Sequence, residues 1–326
     1  MSTVDATGET ARRPLTGRRV HVGDLLLQGV AGVAAAAATL LVVLIAYKVV
    51  DGARPAIEQF GAGFVGHVGW DPVKKSFGGA SFLYGTAVTS AFALLLAGPL
   101  AMGVALFLTE LAPSGIRAPV TALVETLAAI PSVVIGLWGI LVLGPVLRTD
   151  VMPFLHDTLG FIPLFGPTST GSSLFTAIVV LTIMVLPIVS SISRELFLGV
   201  PDELKDGALA LGTTRWEMVR GVMFPYARGG VAAALILGLG RAVGEAIAVT
   251  QVVGGFVGTP VNLFSPGDTL ASRIAAEYQG AASNLQVASL IYLGLILLVF
   301  SLLVNLLAQW IVRRAARRSG LAGARA

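Results

Sequence analysis

Six runs of more than twenty mostly apolar residues divide the chain: Val30–Val50, Phe82–Leu108, Val120–Leu147, Ser172–Ile192, Gly229–Val257 and Leu285–Val312. A hydrocarbon core of ~30 Å takes about 20 helical residues to cross, so each run is long enough to span. Lipid offers no partner to backbone N–H and C=O groups, which leaves helices as the economical solution for such runs. Composition agrees: 12% of residues are charged, against about 25% in soluble domains, and the mean hydropathy is +0.85. The expected fold is an all-α polytopic membrane protein with about six transmembrane helices. It divides into a polar tail (1–28), a transmembrane domain (29–312) and a basic C-terminal tail (313–326). The first run follows four arginines but exceeds the 7–15 apolar residues of a signal peptide, and no small-residue cleavage site follows. It is expected to be a retained span.

The same composition removes several functional classes. The net charge is +4, but the basic residues sit in short clusters at helix ends and do not alternate with aromatics, so no nucleic acid partner is expected. No cysteine is present, which excludes disulfides, thiolate metal sites and thiol nucleophiles together. His21, His67 and His156 lie far apart, and no metal site is expected. Neither His-Glu-x-x-His nor Gly-x-Ser-x-Gly occurs, which argues against a membrane-embedded hydrolase.

Charge also orients the spans. Fifteen Lys/Arg fall in the N-terminal tail, the 109–119 loop, the 193–228 loop and the C-terminal tail. Only Arg54, Lys74, Lys75, Arg148 and Arg273 fall in the loops on the other side. The positive-inside rule then puts both termini and loop 193–228 in the cytoplasm. Pro99, Pro131, Pro145 and Pro187 lie inside apolar runs, where neighbouring helices can satisfy the freed backbone groups.

Loop 193–228 has helical chemistry although it lies outside the apolar runs. Pro201 suits a helix start, and Asp202 and Glu203 suit the positive end of its dipole. Leu204, Ala208 and Leu211 recur on one face, and Gly212 supplies a stop. Thr214–Glu217 reads as a capping box opening a second helix that contains Trp216 and ends before Pro225. Two readings fit this elbow: a solvated or headgroup-lying connector, or an apolar face offered to a partner.

The fifth run contains Gly238-Leu-Gly240-Arg241-Ala-Val-Gly244-Glu245. Arg241 lies about twelve residues into the run, near mid-bilayer, where arginine costs at least ~2.5–3.5 kcal/mol. Glu245 follows four residues later, on the same helical face, and can pair with it. The pair is either structural or an anion site, in which the planar guanidinium fork binds oxyanion oxygens and Glu245 neutralises it at rest. Glu125, early in the third run, is a further candidate for the pathway or an ordinary headgroup-level residue. Leu270–Gln279 is expected to form a short surface helix, either a plain connector or a contact for an external protein.

Asp206-Gly207-Ala208, three residues, Gly212, nine residues and Val222-Met-Phe-Pro225 together resemble the EAA loop of ATP-binding-cassette importer permeases. Residues 238–249 with Ala129-Ile-Pro131-Ser-Val-Val-Ile-Gly136-Leu-Trp138-Gly139 resemble the PstC-type phosphate permease subunits of that family. The resemblance implies a type I importer permease fold, with Arg241 and Glu245 as pore residues. It also implies a coupling helix built from Leu204, Asp206, Gly207, Ala208, Leu211, Gly212, Trp216 and Pro225. The implied partners are a second, PstA-type permease, two PstB-type ATPases that bind ATP and Mg, an external PstS-type phosphate-binding protein, and membrane lipid. Arginine chemistry alone leaves another oxyanion open. A secondary anion transporter is the competing mechanism, although its usual repeated halves are not evident.

Walker A chemistry requires Gly-x₄-Gly-Lys-Ser/Thr. The nearest segment, Gly166-x₄-Gly171-Ser172-Ser173, lacks the lysine. The purified chain alone is therefore expected neither to bind nor to hydrolyse ATP. Turnover by a homogeneous preparation would contradict the division of labour between permease and ATPase.

Overall fold

The computed structural model describes residues 22–168 and 170–318. Of the expected N-terminal tail, residues 1–21 lie outside the described part, and from Val22 the chain is already helical. The expected C-terminal tail is helical as far as Arg318, and 319–326 lie outside the described residues. The chain forms two compact units, residues 1–48 and 49–326. The described part of the first unit belongs to α1 (Val22–Phe60), and from Val30 to Tyr47 it has no polar face, as a lipid-facing helix requires.

The second unit begins with the end of α1 and a hairpin of β1 (Trp70–Asp71) and β2 (Ser76–Phe77), with Trp70 opposite Phe77. Then come α2 (Ala80–Leu106), α3 (Ser114–Ala129), α4 (Ser132–Trp138) and α5 (Leu174–Leu198). The elbow contains α6 (Asp202–Ala210) and α7 (Arg215–Met218). Last are α8 (Phe224–Gly244), α9 (Ile247–Val252), α10 (Leu270–Glu277) and α11 (Asn284–Arg318). Six helical stretches among the described residues are long and apolar enough to cross a membrane. The expected number holds, but two of the six differ from the apolar runs.

The third run is not one helix. Ile130 turns extended (ψ 126°) and Pro131 follows at ψ 137°, so α3 ends and α4 starts afresh. The cause is local: proline's ring forces the preceding residue out of the α region. The spanning stretch is Ser132–Leu159, and α3 is a separate helix. The fifth run is also interrupted, because α8 stops at Gly244 and α9 begins at Ile247. At its other end the helix passes straight through Pro225, where the sequence suggests a stop. A π turn over Val219–Met223 precedes the proline, and its wider i→i+5 bonding accommodates a residue that has no N–H and crowds the carbonyl four residues back.

Packing centres on α5, with 61% of its most apolar window buried. Its main neighbour, α2, presents Gly85, Thr89, Ala93, Ala97, Ala101 and Ala105, all buried and spaced every fourth residue. That row of small side chains lets two backbones approach closely without a hydrophobic driving force between them. Thr86, Thr89 and Ser90 turn their hydroxyls back on carbonyls of their own helix, so the buried row carries no unmet donor.

The hairpin end of the bundle is closed by a charged network. Arg273 was expected among exposed loop charges, in a surface helix over Leu270–Gln279. Instead α10 buries its first turn, Leu270 to Arg273, and the helix ends at Glu277. Arg273 bridges Asp268 at 2.7 Å and Glu277 at 2.6 Å, donates to the Gly255 carbonyl at 3.0 Å, and lies 4.9 Å from the Phe82 ring centre. Glu277 also accepts from Trp70 Nε1 at 2.8 Å, which ties the hairpin to α10. Ser272 closes the set with a short hydrogen bond to Asp268. Burial pushes the Asp268 carboxyl above its ordinary range, against the pull of Arg273 and its hydrogen-bond donors. A carboxyl raised in this way favours the folded state at low pH, and that contribution is lost as pH rises through the raised value.

Arg273→Met should leave two carboxylates unpaired in a buried site, a loss of about 3–5 kcal/mol. A fall in the thermal unfolding midpoint of the purified protein is expected. An unchanged midpoint would mean the network carries no stability.

Candidate functional site

The two unexpected helix breaks meet. α4 and α9, the short helices that follow them, lie against each other through Gly136, where a Cβ would come within 2.8 Å of the Ala248 Cα and 3.1 Å of its carbonyl. No larger residue fits there without separating the two segments. This gives a packing reason for a glycine in the Ala129–Gly139 segment.

Arg241 occupies the last turn of α8, and Glu245 is the residue at which the helix stops. Glu245 has φ −72° and ψ 121°. Its φ is still close to helical, so its side chain projects as that of a residue one turn after Arg241 would. Its ψ carries the chain away. The expected i, i+4 pair is therefore present, with Arg241 Nη2 and Glu245 Oε2 3.1 Å apart. It does not lie along a continuous helix. The break frees the Ala248 N–H, which donates to the other Glu245 oxygen at 3.2 Å. The carboxylate is thereby held on both sides and is nearly fully buried, whereas the arginine side chain is 47% exposed.

The exposed guanidinium faces a cavity of about 280 Å³ lined by Leu127, Ala128, Ile130, Ile135, Met184 and Ile188. Among the described residues, Arg241 is the only charged one in that lining. At about 30 Å³ per water the space holds several waters or a small anion.

Glu125 is not brought to this cavity. It lies on α3, exposed, and lines two other cavities of about 130 and 410 Å³ that it shares with Thr121 and Arg194. Its neighbours on α3, Leu127 and Ala128, are the ones that reach the Arg241 cavity.

The elbow has the expected helix, glycine, helix order. Gly212 takes φ +83°, a conformation that a residue with a Cβ enters only under strain. Thr214 and Glu217 make the reciprocal capping box. The apolar residues divide between two faces. Ala208 packs inward with Phe197, Met218 and Met223. Leu204, Leu211 and Trp216 remain exposed, Leu211 at 86%. Asp206 and Gly207 lie on the exposed side, and Pro225 is half-buried within the helix. Sequence reasoning missed the anchor: Lys205 Nζ reaches Glu110, in the π turn Phe107–Leu111 that follows α2, at 3.3 Å and Asp202 at 3.5 Å. The signal available was a lysine in an otherwise acidic first turn, which does not name its distant partner.

The fold and this site define a polytopic helical transport component with a helix–glycine–helix elbow between two of its spanning stretches. Residues 98–317 match the family of binding-protein-dependent transport system inner membrane components, and the chain belongs to that family. The phosphate transport system permease protein PstC of Mesorhizobium japonicum is 39% identical over 312 residues, covering 94% of this chain and 95% of that one. A PstC 2 from Mycobacterium tuberculosis is 40% identical over 300 residues, covering 90% and 92%. Among solved structures, a bacterial alginate ABC transporter in complex with its periplasmic protein matches with TM-score 0.59 at 17% identity. The match covers 90% of this chain and 97% of that one. At that identity the likeness supports the fold alone.

Replacing Gly212 with Val should strain the turn between α6 and α7 without touching the transmembrane core. Normal membrane insertion is expected, together with loss of transport or of association with an ATPase, measured by pull-down. Unchanged transport and pull-down would remove the elbow from the mechanism.

Proposed function

We propose that this chain is the permease subunit of an ATP-binding-cassette importer that carries inorganic phosphate into the cell, forming half of the translocation pathway. The observation that carries the proposal is a half-exposed arginine, held by a buried carboxylate at a helix break, facing a cavity of about 280 Å³. Relatives named as phosphate permeases, about 40% identical over nine-tenths of the chain, support phosphate over other oxyanions. Half-exposure leaves guanidinium N–H donors available to an ion, which a fully buried pair would not.

In this reading the substrate enters the cavity beside Arg241 and takes two guanidinium N–H donors. Glu245 stays where the Ala248 N–H holds it and balances the arginine when the cavity is empty. The exposed apolar residues of the elbow, Leu204, Leu211 and Trp216, dock in a groove of an ATP-hydrolysing subunit, a helix-in-groove contact. ATP and Mg belong to that partner, and the missing Walker lysine supports the absence of an ATP site here. The full assembly is a heterodimer with a related, PstA-type permease, two PstB-type ATPases and an external PstS-type phosphate-binding protein. The excess of basic residues in the elbow and tails supports a multi-pass protein of the bacterial inner membrane with both termini cytoplasmic.

Arg241→Gln is expected to abolish phosphate uptake in cells lacking the native permease, while Arg241→Lys, which keeps charge but not the fork, leaves a partial rate. Phosphate binding by the external protein stays normal in both. Wild-type uptake by Arg241→Gln, at equal protein in the membrane, would mean that phosphate passes elsewhere.

A further inference from the structure

We infer that the groove between α3 and α5 holds a second station for phosphate, built on Arg194 and Arg117, which the ion occupies after leaving Arg241. The inference rests on the transport function proposed above.

Three cavities follow one another along the same two helices, and the second and third share Thr121, Glu125 and Arg194. Near Arg241 it is walled by Leu127 and Ala128 of α3 and by Met184 and Ile188 of α5. Further along the same two helices come Thr121, Glu125, Ser190 and Arg194, and then Ser114, Arg117 and Ala118. From Ala128 to Arg117 is about 16 Å at 1.5 Å per residue. The far end lies on the elbow side of the bundle, because Arg117 Nη2 donates to the Thr109 and Ala112 carbonyls, next to the Glu110 that binds Lys205.

Three polar atoms along this end are buried without a partner: Arg117 Nε, Arg194 Nε and Thr121 Oγ1. They are three of the seven such side-chain atoms among the described residues, and the residues that carry them line one pair of adjoining cavities. Unmet buried polar groups are rare enough in folded proteins that a cluster of them points to an absent ligand. Two guanidinium N–H donors and a hydroxyl suit the oxygens of a tetrahedral oxyanion. Each arginine is already fixed elsewhere, Arg117 on the two carbonyls and Arg194 on the exposed Glu195 at 2.8 Å. The free Nε edges are therefore held in place before an ion arrives.

Glu125 lines both cavities and makes no hydrogen bond or ion pair among the described residues. With Glu195, which lines the smaller cavity and pairs with Arg194, its carboxylate offsets the two arginines while the station is empty. When phosphate is present it can accept a hydrogen bond from the ion's remaining proton. Sulfate, fully ionised at neutral pH, has no proton to give and meets only repulsion there. The station therefore discriminates for a protonated oxyanion.

The chain contains no cysteine, so Ala122→Cys, at an exposed residue lining the larger cavity, gives it a single thiol. The assembled transporter carrying this change is placed in phosphatidylcholine discs and treated with an anionic methanethiosulfonate reagent. Inorganic phosphate should slow the modification several-fold, sulfate should not, and adding Arg194→Gln should abolish the protection. An unreactive thiol, equal rates with and without phosphate, or protection that survives Arg194→Gln would overturn the station. Slowing by phosphatidylglycerol in the disc, without effect of free phosphate, would assign the groove to a lipid headgroup and overturn it equally. Protection by sulfate as strong as by phosphate would overturn the role given to Glu125. Wild-type complex that fails to import phosphate would defeat the underlying function. Import without protection would defeat the station alone.

Discussion

An arginine within the hydrocarbon region must be compensated, and much of this molecule can be understood from how that is done. The pair of Arg241 and Glu245 satisfies the charge, but a pair on an unbroken helix would leave the carboxylate with one partner. Ending α8 at Glu245 supplies the second, the N–H of Ala248. The break itself exposes backbone groups that lipid cannot satisfy, so it has to be covered by protein. A second broken segment does this, since α4 starts after Pro131 and packs its Gly136 against Ala248. One charge therefore demands one break, and that break demands another.

The remaining structure frames this centre and joins it to the elbow. The row of small residues on α2 draws it close to α5, which walls the Arg241 cavity with Met184 and Ile188. At one end Arg273 reaches the Gly255 carbonyl just beyond α9, and Thr250 of α9 contacts the Ser272 carbonyl at 3.4 Å. α9 is thereby pinned to the hairpin end of the bundle while its first turn holds Glu245. At the other end Lys205 fixes the elbow to the π turn after α2, and the continuous helix from Arg215 to Gly244 runs from the elbow to Arg241. The elbow and the charged pair are thus joined through one helix.

The sequence shows most of this arrangement because its strongest signals are local. Apolar runs, the Gly212 stop, the Thr214 box and the four-residue spacing of Arg241 and Glu245 depend on neighbours within one or two turns. What it hides depends on pairing across the chain. Pro131 and Gly244 are visible as breakers, but apolar residues continue past both, and hydropathy does not distinguish a kinked span from two half-helices. The exposure of Leu204 and Leu211 and the burial of Ala208 follow from where α2 ends, which no helical wheel contains. Arg273 has the appearance of a loop charge because its partners, Asp268 and Glu277, flank it in an ordinary polar segment. Only the contact with Phe82 and Gly255 shows that the segment is buried.

The central claim is that Arg241 meets the transported ion and is not merely part of a structural pair. Removing both charges together, with Arg241→Gln and Glu245→Gln, tests it most directly, because neither partner is left unpaired and the two side chains can still hydrogen-bond across the break. The measurement is the initial rate of ATP-driven phosphate uptake into proteoliposomes containing the assembled transporter. If the arginine contacts the substrate, the doubly neutral protein assembles and hydrolyses ATP but does not import phosphate. If it imports phosphate at the wild-type rate, the pair is structural and the account is wrong.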